Sequence, residues 1–187
     1  MSGDSFPGAL WIPAHADRYT VKASRVIEKI VLHITEGGTA DAQVTARNAF
    51  GGKKYLQNGV WKNQAAHYIV GRDGTVVQCV RHKHIAHHAG TANARTIGIE
   101  HNTRAGIDTK LTNAQYLKSA GLVVWLGQQL SIPMDRRYIL GHSEADAGTS
   151  HSRCPGRVLD WDTYMAAIAH VQAVARGHTP MRLWDDE

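Results

Sequence analysis

Two short apolar runs in this chain each stop at a histidine beside a loop, and that coincidence limits the folds open to it. Ile30-Val31-Leu32-His33 leads through Ile34-Thr35-Glu36 into the pair Gly37-Gly38, and Ile139-Leu140-Gly141-His142 leads into Ser143-Glu144. Both read as strands whose last residues are displayed at a sheet edge, where a rigid scaffold presents functional groups. Cys154 follows in Ser152-Arg153-Cys154-Pro155-Gly156, a sharp turn that pins its thiol instead of packing it in a helix. Two imidazoles and a thiolate suit zinc, and three protein ligands leave a fourth position open for water or substrate. If His33, His142 and Cys154 converge, the chain is a metal-dependent hydrolase.

The remaining pattern supplies a scaffold for such an edge. Five β-rich runs are expected, at residues 28–34, 66–71, 75–81, 96–101 and 138–140. Arg72-Asp73-Gly74 joins the second to the third, with Asp-Gly providing the positive φ of a tight hairpin turn. Helical periodicity is clearest over residues 113–130. There Thr112 and Gln115 form a capping-box pattern, and Tyr116, Leu117, Ala120, Val123, Val124 and Gly127 make one buried stripe. Weaker helices fit residues 41–50, with Val44 and Ala46 inward, and residues 162–176. Strands interleaved with helices predict an α/β fold, a mixed central sheet flanked by helices. One domain over residues 25–176 is expected, with residues 1–24 as an extension packed on it and 177–187 as a loose tail.

A chain of 187 residues can bury a core without staples. Its net charge of +5 favours anionic partners: nucleic acid, acidic membranes or the bacterial cell wall. The basic residues are scattered with no Lys/Arg run, which argues against nucleic acid. No apolar run is long enough to span a bilayer. Met1-Ser2-Gly3-Asp4-Ser5 lacks the basic start and apolar core of a secretory signal, so the expected location is the producer's cytoplasm. Action on a cell wall would then follow release through a pore or export machinery. Cys79 lies in a strand-like stretch and reads as a small buried hydrophobe. A Cys79–Cys154 disulfide stays open, since two cysteines make no framework. His82, His84 and His101 are expected on the surface, His170 and His178 exposed, and Arg72 and Arg81 solvated.

Six motifs in order invite a family comparison: Val31-Leu32-His33; Ala65-Ala66-His67-Tyr68-Ile69-Val70-Gly71-Arg72-Asp73-Gly74; His88-Ala89-Gly90; Ile97-Gly98-Ile99-Glu100; Gly141-His142-Ser143-Glu144; and Cys154-Pro155-Gly156. Over roughly residues 25 to 175 the chain resembles the zinc-dependent N-acetylmuramoyl-L-alanine amidases. That group includes animal peptidoglycan recognition proteins and short phage lysozymes of amidase type. The resemblance implies a mixed sheet flanked by helices and zinc in a groove that accommodates a glycan with its peptide stem. It implies peptidoglycan as partner, and hydrolysis of the amide between the lactyl group of N-acetylmuramic acid and L-alanine. Glu100 is the candidate general base. In residues 96–100 alternation sends Ile97 and Ile99 to one face and Gly98 and Glu100 to the other. The resemblance assigns His67, His88 and Asn93 to substrate contact, with support of the zinc ligands also open for His67; His87 replaces a family Trp, and local scaffolding is equally open for His87 and His88. Ala66 stands where short phage amidases carry Tyr, as in the cell-wall-recycling members. Ser152 stands where many relatives place an oxyanion-stabilising Lys, so Ser152, with Arg153 or His151, is expected to supply that donor.

Three rival readings stay open. The chain could hold peptidoglycan without cleaving it, use Cys154 as a nucleophile paired with His142, or bind nucleic acid through its charge. As an amidase it suits a phage endolysin or a secreted antibacterial effector, with a cytosolic muropeptide-recycling enzyme as the alternative.

Overall fold

In the computed structural model, which describes residues 4–178, six strands form one mixed sheet. These are β1 (Leu10–Trp11), β3 (Lys29–Ile34), β6 (Tyr68–Val70), β7 (Val76–Gln78), β9 (Thr96–His101) and β10 (Ile139–Gly141), in the order β1-β7-β6-β9-β3-β10. Neighbours run parallel except β6 and β7, the hairpin foreseen at Arg72-Asp73-Gly74, where Gly74 takes φ +84°. Two small antiparallel pairs lie outside the sheet: β2 (Tyr19–Thr20) with β8 (Ile85–Ala86), and β4 (Tyr55–Gln57) with β5 (Val60–Lys62). Helices α1 (Ala42–Thr45), α2 (Asn113–Leu130), α3 (His142–Ala145) and α4 (Trp161–Ala175) complete the fold.

The period of two along each strand divides the sheet into unlike faces. Ile30, Leu32, Tyr68, Val70, Ile97, Ile99 and Ile139 point to one side and pack under α2 and α4 with Leu122, Val123, Leu126, Tyr164 and Ile168. The opposite face carries Ile69 and Val77 against Ala42, Ala46, Phe50, Ala65 and Ala66. These mostly small side chains leave room above the sheet for a cleft. Cover on both faces fits the continuous apolar run Ile30-Val31-Leu32 of β3, whereas β9 alternates.

Helix α2 starts on the expected capping box. Gln115 N donates to Thr112 Oγ1, and Thr112 N donates to Gln115 Oε1, each at 3.1 Å. The expected stripe is corrected at Leu117, which is 37% exposed, while Leu122 and Leu126 are fully buried. A helix wedged between a sheet and a second helix buries a wider arc than a single stripe. Over residues 41–50 the chain makes one α-turn, capped by Asp41 Oδ1 on Gln43 N and Val44 N, then widens into a π-turn at Ala46–Phe50. Ala46 is buried as expected, but Val44 is exposed and lines the cleft.

Of the residues expected on the surface, His82 and His101 are buried. His101 bridges the His33 carbonyl (Nδ1, 2.8 Å) and Ser119 Oγ (Nε2, 2.7 Å), and His82 Nε2 meets Tyr68 OH at 2.6 Å. Polar partners inside the domain make their burial possible, and no local pattern announces such partners. His84 is partly exposed and stacks on Tyr19, His170 is partly exposed and His178 exposed. Arg72 pairs with Asp108, and Arg81 lies over the Trp11 ring. Cys79 is buried, and both cysteines are free thiols.

Ahead of β3, β1 adds to the sheet edge at β7, and Phe6 packs edge-on against Trp125. The buried Arg18 guanidinium donates to the carbonyls of Gly52, Lys53 and Gln64. Residues 1–3 and 179–187 lie outside the described residues, including most of the expected tail.

Burial pushes His82 down from 6.5 to about 4, against the opposing pull of Asp4. A folded-state value below the unfolded one gives stability that is complete above pH 6.5 and is lost as pH falls toward 4. Each such histidine contributes a slope of up to about 1.4 kcal/mol per pH unit. Urea denaturation across this range should therefore show a shallower acid loss for His82→Gln than for the unsubstituted protein. Equal slopes would remove His82 from the account.

Candidate metal centre

The register of the three central parallel strands assembles the site. His33 near the end of β3 lies opposite Glu100 of β9, and Ile69 of β6 lies opposite Glu100 on its other side. Gly141 ends β10 beside Leu32, so His142, the next residue, begins α3 next to His33. The loop from α3 returns Cys154 to the same place. Its carbonyl accepts from Ser143 N at 3.1 Å and its amide donates to the His151 carbonyl at 3.0 Å. One donor atom from each of His33, His142 and Cys154 lies within 4.8 Å of the others. His33 Nδ1 is 3.9 Å from Cys154 Sγ, and the two imidazole centroids are 4.7 Å apart.

This trio floors a cleft of about 620 Å3. Glu100, His88 and His151 share the floor, and Val44, Asn48, Ala65 and Lys62 form part of the walls. Desolvation holds His33 well below its usual value, reinforced by His88 and His142, and lowers His142 as well. Both rings therefore stay neutral with lone pairs free. Burial, then Glu100, pushes the Cys154 thiol up to about 12. Such a thiol is a poor nucleophile on its own, which counts against the cysteine-hydrolase reading. Two neutral imidazoles and a thiol converging on one point fit a soft divalent cation such as zinc. Glu100 supports the same fit. Its Oε2 is enclosed without a hydrogen-bond partner, and desolvation pushes the carboxyl up to about 8.

The residues assigned to substrate contact are placed differently. His67 is fully buried and absent from the cleft lining. Gly98 N donates to its Nδ1 at 3.0 Å, and its Nε2 faces Arg25 Nη2 at 2.8 Å and the His84 carbonyl at 3.2 Å. Asn93 also lies outside the lining. Its Oδ1 accepts from His88 N at 2.9 Å and Ala89 N at 2.6 Å, clamping the loop before β9. His88 reaches the cleft but is 8% exposed, and its ring nitrogens are engaged by His33 and Thr96. Ser152 and Arg153 are exposed and outside the lining, whereas His151 enters it, stacked on His142. Backbone bonds that orient Cys154 inward turn the two preceding side chains outward.

Arg25 carries no motif, and its part is visible only in three dimensions. Its guanidinium donates to the carbonyls of His82, Asn93, Ala94 and Thr96, which fastens the loop beneath the site. Gly98 is the other hidden requirement. A Cβ there would sit 2.5 Å from His88 Cγ, so only glycine lets the imidazole cross the strand.

The family model for N-acetylmuramoyl-L-alanine amidase matches residues 23–157, and the chain belongs to that family. N-acetylmuramoyl-L-alanine amidase A of Achromobacter lyticus is 28% identical over 180 residues, covering 87% of this chain and 94% of that protein. Among solved structures, a selenomethionine derivative of AmpD superposes with TM-score 0.69 at 23% identity, covering 88% of this chain and 97% of that one. The endolysin amidase LysCS of Clostridium intestinale gives TM-score 0.61 at 18% identity, covering 95% and 100%. At these identities the structural matches speak for the fold, which is the α/β amidase fold that the motifs imply.

Gly98→Ala forces His88 or the β9 backbone to move. It should destabilise the protein by about 1–3 kcal/mol in denaturant titrations. An unchanged midpoint would show that His88 has room to yield.

Proposed function

We propose that this chain is a zinc-dependent amidase that cleaves the bond between the lactyl group of N-acetylmuramic acid and L-alanine in peptidoglycan. We further propose that it lyses cell walls, as a phage endolysin or an antibacterial effector acting after its release from the producing cell. The observation that carries the reading is the clustering of His33, His142 and Cys154 donor atoms beside the unpartnered Glu100 carboxyl. Family membership supports the amide bond as target, and the net charge of +5 suits approach to an anionic wall.

Zinc held by His33, His142 and Cys154 would supply Lewis acidity, which polarises the scissile carbonyl and acidifies water. Glu100 stands ready as the proton carrier. Burial alone raises its carboxyl to about 8, and a cation beside it would draw it back to the carboxylate that accepts a proton. It accepts the proton of the attacking water as the new C–O bond forms, then returns it to the amine of L-alanine as the C–N bond breaks. The products are a lactyl carboxylic acid and a free stem peptide. His151, an exposed imidazole in the cleft lining and one of the donors expected beside Ser152 and Arg153, would donate to the oxyanion. The cleft walls hold the stem across the site, and Lys62 at its rim suits an acidic stem carboxylate.

Digestion of purified sacculi followed by mass spectrometry of the soluble products tests this directly. Stem peptides with a free L-alanine amino terminus are expected. Shortened glycans or opened cross-links would overturn the bond assignment, and cleavage confined to soluble muropeptides would overturn the lytic role. Glu100→Gln should keep zinc and lose turnover by about 10²–10⁴-fold. Full turnover in that variant would remove Glu100 from the mechanism.

A further inference from the structure

We propose that His88 is a positioning residue. A one-way hydrogen-bond chain from a backbone carbonyl through Thr96 and His88 fixes which nitrogen of His33 keeps a lone pair for the metal. The inference rests on the zinc reading above and deepens it, because it concerns how one ligand is prepared before any ion arrives.

The chain can be read from its far end. The Ala92 carbonyl can only accept, so Thr96 Oγ1 donates to it, at 2.8 Å. A hydroxyl has a single proton, so toward His88 Nε2, at 3.1 Å, the same oxygen must accept. His88 therefore carries its hydrogen on Nε2. The ring is buried and among the described residues its two nitrogens meet only Thr96 and His33, with no carboxylate to balance a second proton, so Nδ1 is left as a bare acceptor. That nitrogen lies 3.0 Å from His33 Nε2, which must then be the protonated nitrogen of His33. The lone pair of His33 falls on Nδ1, the atom facing Cys154 Sγ. The opposite tautomer of His33 would set two bare acceptor nitrogens against each other at a buried 3.0 Å contact.

The surroundings hold the relay in place. Gly98 gives the His88 ring its space, Asn93 Oδ1 grips the His88 and Ala89 amides, and Arg25 fastens the Thr96 carbonyl. The second imidazole is held differently. His142 Nε2 meets Thr149 Oγ1 at 3.2 Å, a hydroxyl that steadies the ring without a backbone acceptor to set its polarity. The polarity thus enters the trio through His33.

Two readouts independent of turnover test the proposal on the full chain. Long-range proton–nitrogen spectra of the metal-stripped protein should show both His33 and His88 protonated on Nε2. Protonation of His88 on Nδ1 overturns the relay. Zinc affinity, read by competition with a chromophoric chelator, should fall by about 10–100-fold in His88→Phe, which fills the volume without an acceptor. His88→Asn, whose amide oxygen can replace Nδ1, should recover most of that loss. Thr96→Val, which cuts the chain one bond further out, should weaken zinc binding less than His88→Phe. Undiminished affinity in His88→Phe, or equal losses in the Phe and Asn variants, would reduce His88 to a space-filler. Should His88→Phe fail to fold, the spectra still decide. If the unsubstituted protein takes up no zinc, the reading of the metal centre itself fails, a result distinct from failure of the relay alone.

Discussion

The parallel register of β10, β3 and β9 is the constraint on which everything else depends. It sets Leu32 beside Gly141 and His33 beside Glu100, so two histidines and a carboxylate reach one sheet edge on one face. A slip of one residue between β3 and β9 would separate His33 from Glu100 and turn one of them toward the helices. Register here is protected by the apolar face. Ile30, Leu32, Ile97 and Ile99 are fully buried under α2 and α4, so any slip would carry them out of the core. The packing that stabilises the domain is therefore also what aligns the site.

Electrostatics complete what register begins. The centre is surrounded by imidazoles that burial keeps neutral: His33, His67, His88 and His101 all lie below their usual value. Neutral rings are what ligation and directional hydrogen bonding need, since a protonated ring has no lone pair to give. Against this background Cys154 and Glu100 are the groups held toward their protonated forms, in a cleft where one divalent cation would release both.

Much of this was legible in the sequence, for definite physical reasons. The strands over 28–34 and 96–101 and the helix over 113–130 were found because apolar periodicity and a capping box are local signals, and the structure places them within a residue of expectation. His33, His142, Cys154 and Glu100 were found because each sits at the end of such an element or in a sharp turn. The fates of His67, Asn93, Ser152 and Arg153 were not legible. Whether a side chain faces a cleft or a neighbouring carbonyl depends on contacts between residues far apart in the chain, such as Arg25 with Asn93 and Thr96. The hairpin β4–β5 did have a local signal, Asn58-Gly59 with both residues at positive φ, but its short exposed strands offer no apolar alternation to flag it.

The central claim is that two histidine nitrogens and one cysteine sulfur hold a single zinc ion with a position to spare. X-ray absorption at the zinc edge of the purified, zinc-loaded protein measures that most directly. The account predicts one sulfur near 2.3 Å and three nitrogen or oxygen neighbours near 2.0–2.1 Å. A shell without sulfur, or one closed by four protein ligands, would contradict it.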